Sequence, residues 1–430
     1  MRINWFSPLP PAKSGIADYT LGLLPTFSEK AEVILWTDQS EWDPRLEQYA
    51  RIQTYKPGKI DWATLNRGAV SFYNIGNNHR FHTSIWQVSK QSPGIVVLHD
   101  FRLHDFFESL YRGHWRDERG YLDQIEACYG HEGLKAAAEF VTSEHPDYDS
   151  MAQRFPMFPL VLEDSLATIV HTQEAYTEVK SANRWPVVFT PLPFSGELRG
   201  KQNTSENGAP YRLIVFGHIG RNRRLASVLE ALSLLPQRER FHLDIYGEID
   251  DPRSLRNRIH DLNLKQIVTV HGYAPHGELD RALQAASLAI NLRYPTMGEA
   301  SASQLLIWTH GLPTLVTKVG WYASLSEETV SHVRPEHEVD DIRSHLVSFL
   351  EDPKRFRSKG EQGLRFVERE HHPERYVSTL MSLASDAAEL NVRKSAYDLA
   401  KRSGTLLGSW INETQETPMR LAGKIRDLLS

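Results

Sequence analysis

The stretch "RLIVFGHIGRNRRLASVLEAL", residues 212–232, passes from an apolar strand pattern through a short basic loop into a helix pattern. The apolar residues of the helical part lie at helical spacing: Leu225, Val228, Leu229, Leu232 and Leu235. This spacing predicts an amphipathic helix over 223–235 with one buried face. A strand followed by such a helix is the repeating unit of α/β proteins that contain a parallel sheet.

The same alternation runs through most of the chain. Further strand patterns lie at 2–6, 32–36, 69–74, 94–98, 166–170 and 187–190, and then at 211–216, 241–246, 267–270, 287–292, 313–317 and 330–334. Helical patterns separate them, which predicts parallel sheets with right-handed crossovers. We therefore expect an α/β fold with two Rossmann-like domains that face a cleft.

A polar segment rich in Gly, Ser and Asn interrupts the alternation and is typical of a linker between domains. We predict a first domain at 1–195, a linker at 196–210, a second domain at 211–370 and C-terminal helices at 371–430. Within the first domain, the segment 101–163 is mostly a helical addition.

Composition excludes several classes of protein. The chain has 430 residues, a net charge of -5 and one cysteine. A nucleic-acid partner is not expected, because such proteins carry a basic face. One cysteine allows no internal disulfide, and no apolar run approaches the roughly 18 residues of a membrane span. Without a signal-peptide pattern at Met1, we expect a cytoplasmic protein.

Two loops carry the strongest chemical signal. Arg221, Arg223 and Arg224 lie at or just before a helix N-terminus, where cations are unfavourable unless an anion is held there. They predict a phosphate site, and a solvated basic turn is the alternative. The second loop, "YPTMGEASAS" at 294–303, also leads into a helix. Glu299 and Ser301 there are either ligand contacts or simple helix-capping residues.

Several motifs together resemble one family. They are the basic loop, "YPTMGEAS" with "GLPTLVT", and the final "HHPERYVSTLM". This pattern is similar to the retaining glycosyltransferases of family 4, and "FYNIGNNHRFH" at 72–82 resembles members that build bacterial surface polysaccharides. The resemblance implies the GT-B fold, with a nucleotide-sugar donor in the C-terminal domain, an acceptor mainly in the N-terminal domain, and a C-terminal helix that returns to the first domain.

The resemblance also assigns roles to residues. "VVLHDFRLHDFF" gives the strand-end His99 at the transferred sugar, and "FSPLPPAKSGIADYT" gives Gly15 near the donor diphosphate. Arg223 matches a lysine on the diphosphate and Glu299 the first of two paired glutamates, so the implied catalytic residues are His99, Arg223 and Glu299. The implied donor-binding residues are Gly15, Gly217, His218, Arg221, Arg224, Gly272, Tyr273, Gly298, Ala300, Ser301 and Gln304.

The chain departs from the family at two of these positions. His218 stands where an arginine is usual, and Ile307 stands where the second glutamate, which holds the ribose, would be. Gln304 is the candidate substitute for that glutamate. The candidates for the acceptor side are Asn77, Asn78, His104 and His171.

No metal and no cofactor is expected, because arginines and helix N-termini would stabilise the leaving diphosphate. "HDFRLHD" at 99–105 and "DYD" at 147–149 are alternative metal patterns, and the second follows no strand. The family implies a front-face attack in which the leaving phosphate helps to take the acceptor proton.

Other functions stay open at this point. They are a GT-B phosphorylase or epimerase, and a weakly catalytic subunit that binds a sugar nucleotide. The basic amphipathic segment 419–429 allows a peripheral contact with the inner face of a membrane, as the alternative to a packed terminal helix.

Overall fold

The computed structural model describes residues 1–56, 58–200 and 210–411, and these form two compact units. The first unit contains Met1–Val170, Ala175–Thr190 and the chain from Glu374 onward. The second unit contains His171–Glu174 and Pro191–Pro373. Most of the predicted linker 196–210, and the whole basic segment 419–429, lie outside the described residues.

The first unit is built on a parallel sheet of seven strands in the order β3-β2-β1-β4-β5-β6-β7. Its strands are β1 (Arg2–Phe6), β2 (Glu32–Thr37), β3 (Arg51–Thr54), β4 (Val70–Ile75), β5 (Ile95–Leu98), β6 (Ala167–Val170) and β7 (Val187–Phe189). Strand β3 is the one that the sequence patterns did not predict. It lies at the sheet edge and carries partly exposed or exposed residues, so it lacks the apolar run of a central strand.

Helices cover both faces of this sheet. They are α1 (Gly15–Ser28), α2 (Trp62–Leu65), α3 (His79–Ser89), α4 (His104–Glu108), α5 (Glu118–Thr142), α6 (Tyr148–Arg154), α7 (Phe158–Leu162), α8 (Gln173–Ser181) and, after the second unit, α16 (Pro373–Ile411). Alternate strand residues point to opposite faces. Trp5 packs with α1 and with Tyr376 and Leu380 of α16, whereas Phe6 faces the core under the helical addition. The C-terminal helix therefore returns to the first sheet.

The second unit has a parallel sheet of six strands in the order β10-β9-β8-β11-β12-β13. Its strands are β8 (Tyr211–Phe216), β9 (Phe241–Tyr246), β10 (Val268–Gly272), β11 (Leu288–Asn291), β12 (Thr314–Thr317) and β13 (Ser331–Val333). Its helices are α9 (Leu225–Ser233), α10 (Pro252–Asp261), α11 (His276–Ala285), α12 (Ala302–Thr309), α13 (Gly320–Ala323), α14 (Glu338–Glu351) and α15 (Pro353–Glu370). The predicted apolar face of 223–235 is buried against this sheet.

Both sheets are Rossmann-like, since the chain starts in the middle, winds to one edge and then to the other. The order reverses between β1 and β4 in the first sheet and between β8 and β11 in the second. Ligands of open α/β sheets bind at the carboxyl ends of the strands at this reversal. In the part of the chain that is described, no helix is both long and apolar enough to cross a bilayer.

Candidate functional site

The two loops singled out in the sequence lie at the reversal point of the second sheet. One follows β8 and the other follows β11, and these strands are hydrogen-bonded neighbours. A parallel sheet brings the carboxyl ends of both strands to the same edge. The basic loop and the Glu299 loop are therefore adjacent, as a single ligand site requires.

Arg223 ends a 3₁₀ turn (Arg221–Arg223) in the first of these loops, and only 6% of its surface is exposed. Its Nε donates to the carbonyl of His218 at 3.3 Å, and its Nη1 donates to Oδ1 of Asn291 at 2.7 Å. Nη2 has no acceptor among the described residues. Gly217 leaves room for it, because a Cβ at that position would lie 2.7 Å from Nη2.

The charged groups at this site are Arg223, Arg293 and Glu299, which together carry a net positive charge. Burial, followed by the nearby Arg293 cation, lowers the pKa of Arg223 to about 9, whereas Tyr322 and Glu299 act in the opposite sense. Two arginines therefore share a partly desolvated space with the Glu299 carboxylate. Such a space favours an anionic ligand, because a buried cation without full compensation is unstable.

One carboxylate oxygen of Glu299 is hydrogen-bonded, and the other lies near an arginine without a hydrogen bond. Its Oε2 accepts hydrogen bonds from Thr296 Oγ1 and from the Met297 N–H, each at 2.8 Å. Its Oε1 lies 3.4 Å from Arg293 Nε and is buried without a hydrogen-bond partner in the described part of the chain. The hydroxyl of Tyr322, also fully buried, has no partner there either. Buried polar atoms of this kind normally have partners, so a ligand or water is expected beside them.

The start of α12 completes this group. Ser301 is its N-cap, and Oγ accepts the N–H of Gln304 at 3.1 Å. The N–H groups of the next two residues, 302 and 303, have no acceptor within the helix and none elsewhere in the described ranges. Gly298 and Ala300 lie in the loop just before this N-cap, and Gly298 has a left-handed backbone conformation with φ 79°. Helix N-termini of this kind bind phosphate.

Two donor-site predictions need correction. Arg224 is bound by Glu338, with Nη2 to Oε2 at 2.7 Å, and so supports α9 rather than a leaving group. Gln304 is completely buried: its Oε1 accepts from Asn291 and its Nε2 donates to Thr314. It therefore cannot hold a ribose in place of the missing glutamate. His218 is exposed and its Nε2 lies 2.9 Å from Asp250, so its role at the donor stays a prediction.

Three other predicted donor residues, Arg221, Gly272 and Tyr273, lie in loops or at a strand end of the second unit. Arg221 is exposed. Gly272 has φ 76° and ends β10, and Tyr273 after it is 68% exposed. An exposed tyrosine ring is a residue type that can stack on a base. Its role stays a prediction.

In the first unit, His99 lies at the end of β5 and its orientation is fixed by Asn74. The Asn74 side-chain amide donates from Nδ2 to the carbonyl of Phe6 at 2.9 Å, so its Oδ1 must face His99. Nε2 of His99 lies 3.0 Å from that oxygen and therefore carries the proton. Gly15 is the first residue of α1, after the N-cap Ser14, and a Cβ there would meet nothing within 4 Å.

The predicted acceptor-side residues have structural roles. Asn78 is the N-cap of α3, and Asn77 accepts the N–H of Phe106 at 2.9 Å. His104 has no exposed surface and bonds through Nε2 to Tyr121 at 2.8 Å, so its prediction was wrong. His171, which follows β6, is 3% exposed and groups with the second unit, and its acceptor-side role stays a prediction.

The metal patterns have ordinary explanations. Asp147 of "DYD" is the N-cap of α6 and accepts the N–H of Ser150. In "HDFRLHD", His99 and His104 have the separate partners given above. Among the described residues, no three His, Cys, Asp or Glu side chains are grouped as metal ligands would be.

Several residues of the site were missed in the sequence. Asn291 is the last residue of β11 and Arg293 lies two residues after it. Their position at the carboxyl end of a predicted strand is the sequence signal that could have identified them. Tyr322 and Glu338 carried no local signal, because they reach the basic loop from distant parts of the chain.

Residues 199–365, which lie within the second unit, match the family described as Glycosyl transferases group 1. This segment is a group 1 glycosyltransferase domain. No curated protein sequence matches the chain significantly. The fold is similar to that of the sucrose-phosphate synthase of Thermosynechococcus elongatus, with a TM-score of 0.62 and 16% identity over 90% of this chain and 98% of that one.

Two other solved structures are similar. HepE of Anabaena, in complex with UDP and glucose, gives a TM-score of 0.59 at 14% identity, over 89% of this chain and 99% of that one. WaaG, a glycosyltransferase involved in lipopolysaccharide biosynthesis, gives a TM-score of 0.56 at 12% identity, over 88% of this chain and 99% of that one. At these identities the likeness establishes the GT-B fold, and together with the group 1 domain it identifies the chain as a glycosyltransferase.

Proposed function

We propose that the chain is a retaining glycosyltransferase of family 4 that works without a metal ion. It transfers a sugar from a nucleotide-diphosphate donor, a UDP- or GDP-sugar, to a saccharide or lipid-linked saccharide during polysaccharide synthesis.

The observation that carries this proposal is the buried Arg223 with its unpartnered Nη2. The guanidinium is anchored through Nε and Nη1 and lies near a second cation, and its partner Asn291 is hydrogen-bonded to Gln304 in the first turn of α12. A diphosphate supplies the two negative charges and the acceptor oxygens that such a site lacks. Arg223, Arg293 and the helix N–H groups then stabilise the charge that collects on the leaving diphosphate.

The catalytic step follows from this arrangement. The bond between the anomeric carbon and the phosphate oxygen breaks, and the acceptor oxygen forms a new bond to the same face. The acceptor proton passes to an oxygen of the leaving phosphate, so that no protein base is needed. Glu299 Oε1 accepts a hydroxyl of the transferred sugar, and the family resemblance assigns His99 to that sugar.

The similar structures support the donor and the acceptor class. HepE structures contain UDP and UDP-glucose, and WaaG takes part in lipopolysaccharide biosynthesis. We therefore take UDP-sugars as the first donors to test and glycolipid-linked saccharides as the first acceptors.

A thermal-shift panel with UDP, GDP and their sugars is the first experiment. A ligand present at a hundred times its dissociation constant adds about 2.7 kcal/mol to the free energy of unfolding. Donor turnover is then measured with and without a saccharide acceptor. Nucleoside diphosphate released with an acceptor, together with an α-linked product from an α-linked donor, supports the proposal. Binding without any turnover would identify a binding subunit, and no stabilisation by any nucleotide would overturn the donor site.

A further inference from the structure

Asn291 joins Arg223 to a chain of buried side chains in the second unit. Arg223 Nη1 donates to Asn291 Oδ1 at 2.7 Å, and Asn291 Nδ2 donates to Gln304 Oε1 at 3.0 Å. Gln304 Nε2 donates to Thr314 Oγ1 at 3.1 Å, and that hydroxyl donates to the carbonyl of Leu312 at 3.3 Å. Asn291, Gln304 and Thr314 are each 3% exposed or less.

All the hydrogen bonds in this series are donated in the same direction, from Arg223 towards Leu312. A guanidinium only donates hydrogen bonds and a carbonyl only accepts them, so the two ends fix the orientation of both amides between them. Each amide uses its oxygen towards Arg223 and its nitrogen away from it. The Nη1 end of the guanidinium is therefore held by a rigid series that ends at the backbone.

The partner of Arg223 in this series is also uncharged. A carboxylate in place of the Asn291 amide would bind the guanidinium more strongly, but it would cancel its charge. An amide orients the guanidinium and leaves the positive charge for a ligand. The neighbouring Arg224 is instead neutralised by the Glu338 carboxylate. The same loop therefore contains one arginine paired with a carboxylate and one paired with an uncharged amide.

We propose that Asn291 and Gln304 are positioning residues that aim Nη2 of Arg223 at the donor diphosphate while leaving its charge uncompensated. This rests on the proposed function and extends it to residues that touch no substrate. Gln304, the candidate substitute for the missing glutamate that would hold the ribose, acts through Arg223 instead.

The test is a comparison of affinities for UDP and UMP, measured by calorimetry on the full-length protein. The proposed function places Arg223 at the leaving diphosphate, and UMP lacks the second phosphate, so the ratio of the two affinities reports the alignment of Arg223. We expect Gln304→Met, which keeps the shape but removes both hydrogen bonds, to lower this ratio about tenfold. This corresponds to a loss of about 1.4 kcal/mol in the free energy of UDP binding relative to that of UMP. In an Arg223→Met background the same substitution should leave the ratio unchanged, because the two residues act as a unit.

Asn291→Asp is the second variant. Gln304 can turn its amide to donate to the new carboxylate, so this protein should fold and be at least as stable as the wild type. It should nevertheless lose UDP affinity relative to UMP, because the charge of Arg223 is cancelled. If Asn291 had only a structural role, a variant as stable as the wild type should keep the wild-type ratio of UDP to UMP affinity.

Asn4→Leu is the matched control, since Asn4 is a buried asparagine with three side-chain hydrogen bonds in the first sheet. It should lower stability and leave the ratio unchanged. An unchanged ratio in folded Gln304→Met, or in Asn291→Asp if that variant alone folds, overturns the positioning role. A wild-type protein that binds neither UDP nor GDP overturns the proposed function itself.

Discussion

Arg224 and Glu338 form a bidentate ion pair between residues 114 positions apart in the chain. Arg224 Nε donates to Oε1 at 2.8 Å and Nη2 to Oε2 at 2.7 Å, and Ser227 donates to the same carboxylate. The pair joins the starts of α9 and α14. It explains how the sequence tolerates an arginine at a helix N-terminus, where the helix dipole opposes a cation.

We predict that Glu338→Gln lowers the free energy of unfolding by about 2 kcal/mol. Breaking a buried ion pair leaves the other charge uncompensated, and the loss is moderated here because 30% of the Arg224 side chain is exposed. Urea unfolding measures the change. Glu336→Gln, at an exposed position nearby, is the control and should alter stability little. Equal stability of both variants would show that the pair contributes nothing.

The two neighbouring arginines should respond in opposite ways. Arg223→Met should reduce donor turnover by about a hundredfold or more, through lost stabilisation of the leaving group, and leave stability unchanged or higher. Arg224→Met should destabilise the fold and leave the turnover of the folded protein close to that of the wild type. Steady-state kinetics beside urea unfolding compares them, and the reverse assignment of effects would refute the site described above.

The sequence predicted the positions of the site better than its contacts. The apolar patterns located every strand except the polar edge strand β3, and the strand order in the structure then placed both loops at a reversal point. Contacts such as Arg223–Asn291, across 68 positions, depend on tertiary packing and have no local pattern. Gln304 is the clearest example, because helical spacing alone does not distinguish a side chain in the core from one at the ligand.

Histidine pairs show the same limit. The pattern "HDFRLHD" brings His99 and His104 close in sequence. In the structure, His99 at the end of β5 contacts Asn74, whereas His104 in the helical core contacts Tyr121. A turn between β5 and α4 separates the two side chains, and no sequence spacing reports that turn.

Acid should destabilise the first unit through His82. This residue is 2% exposed and its Nδ1 donates to the carbonyl of Asn74 at 3.0 Å. Burial lowers the pKa of His82 from 6.5 to about 4. Between these values the unfolded chain binds a proton that the folded protein does not, so stability falls as the pH drops from 6.5 towards 4, by up to about 3 kcal/mol.

His82→Asn tests this, because the asparagine amide can still donate to the Asn74 carbonyl. The difference between wild-type and variant unfolding free energies should change across this pH window and level off on either side. Other histidines with lowered pKa values, such as His345 and His371, cancel in that difference. Parallel curves would show that His82 is not responsible.

Chelation should leave activity intact. The proposed site stabilises the leaving diphosphate with Arg223, Arg293 and the N-terminus of α12, which together supply the positive charge that a divalent ion provides elsewhere. Turnover after dialysis against EDTA should equal that of the untreated protein. Complete loss that Mg²⁺ or Mn²⁺ restores would contradict the metal-independent mechanism.

The Glu299 carboxylate can act in two ways that separate variants distinguish. Through Oε2 it holds the loop by accepting from Thr296 and Met297, and through Oε1 it faces Arg293 and, as proposed, a sugar hydroxyl. Glu299→Gln keeps the shape but removes the charge. Thr296→Val keeps the charge and removes one of the hydrogen bonds that hold the loop.

We predict that Glu299→Gln lowers kcat by more than it raises the KM for the donor. A carboxylate on the sugar hydroxyls becomes more favourable as positive charge develops at the anomeric carbon, so its loss falls mainly on the transition state. Thr296→Val should cost about 1 kcal/mol of stability and change kcat much less. Steady-state kinetics and melting curves of both variants decide the question: if Thr296→Val reproduces the kinetic loss of Glu299→Gln, the geometry of the loop and not the charge of Glu299 supports catalysis.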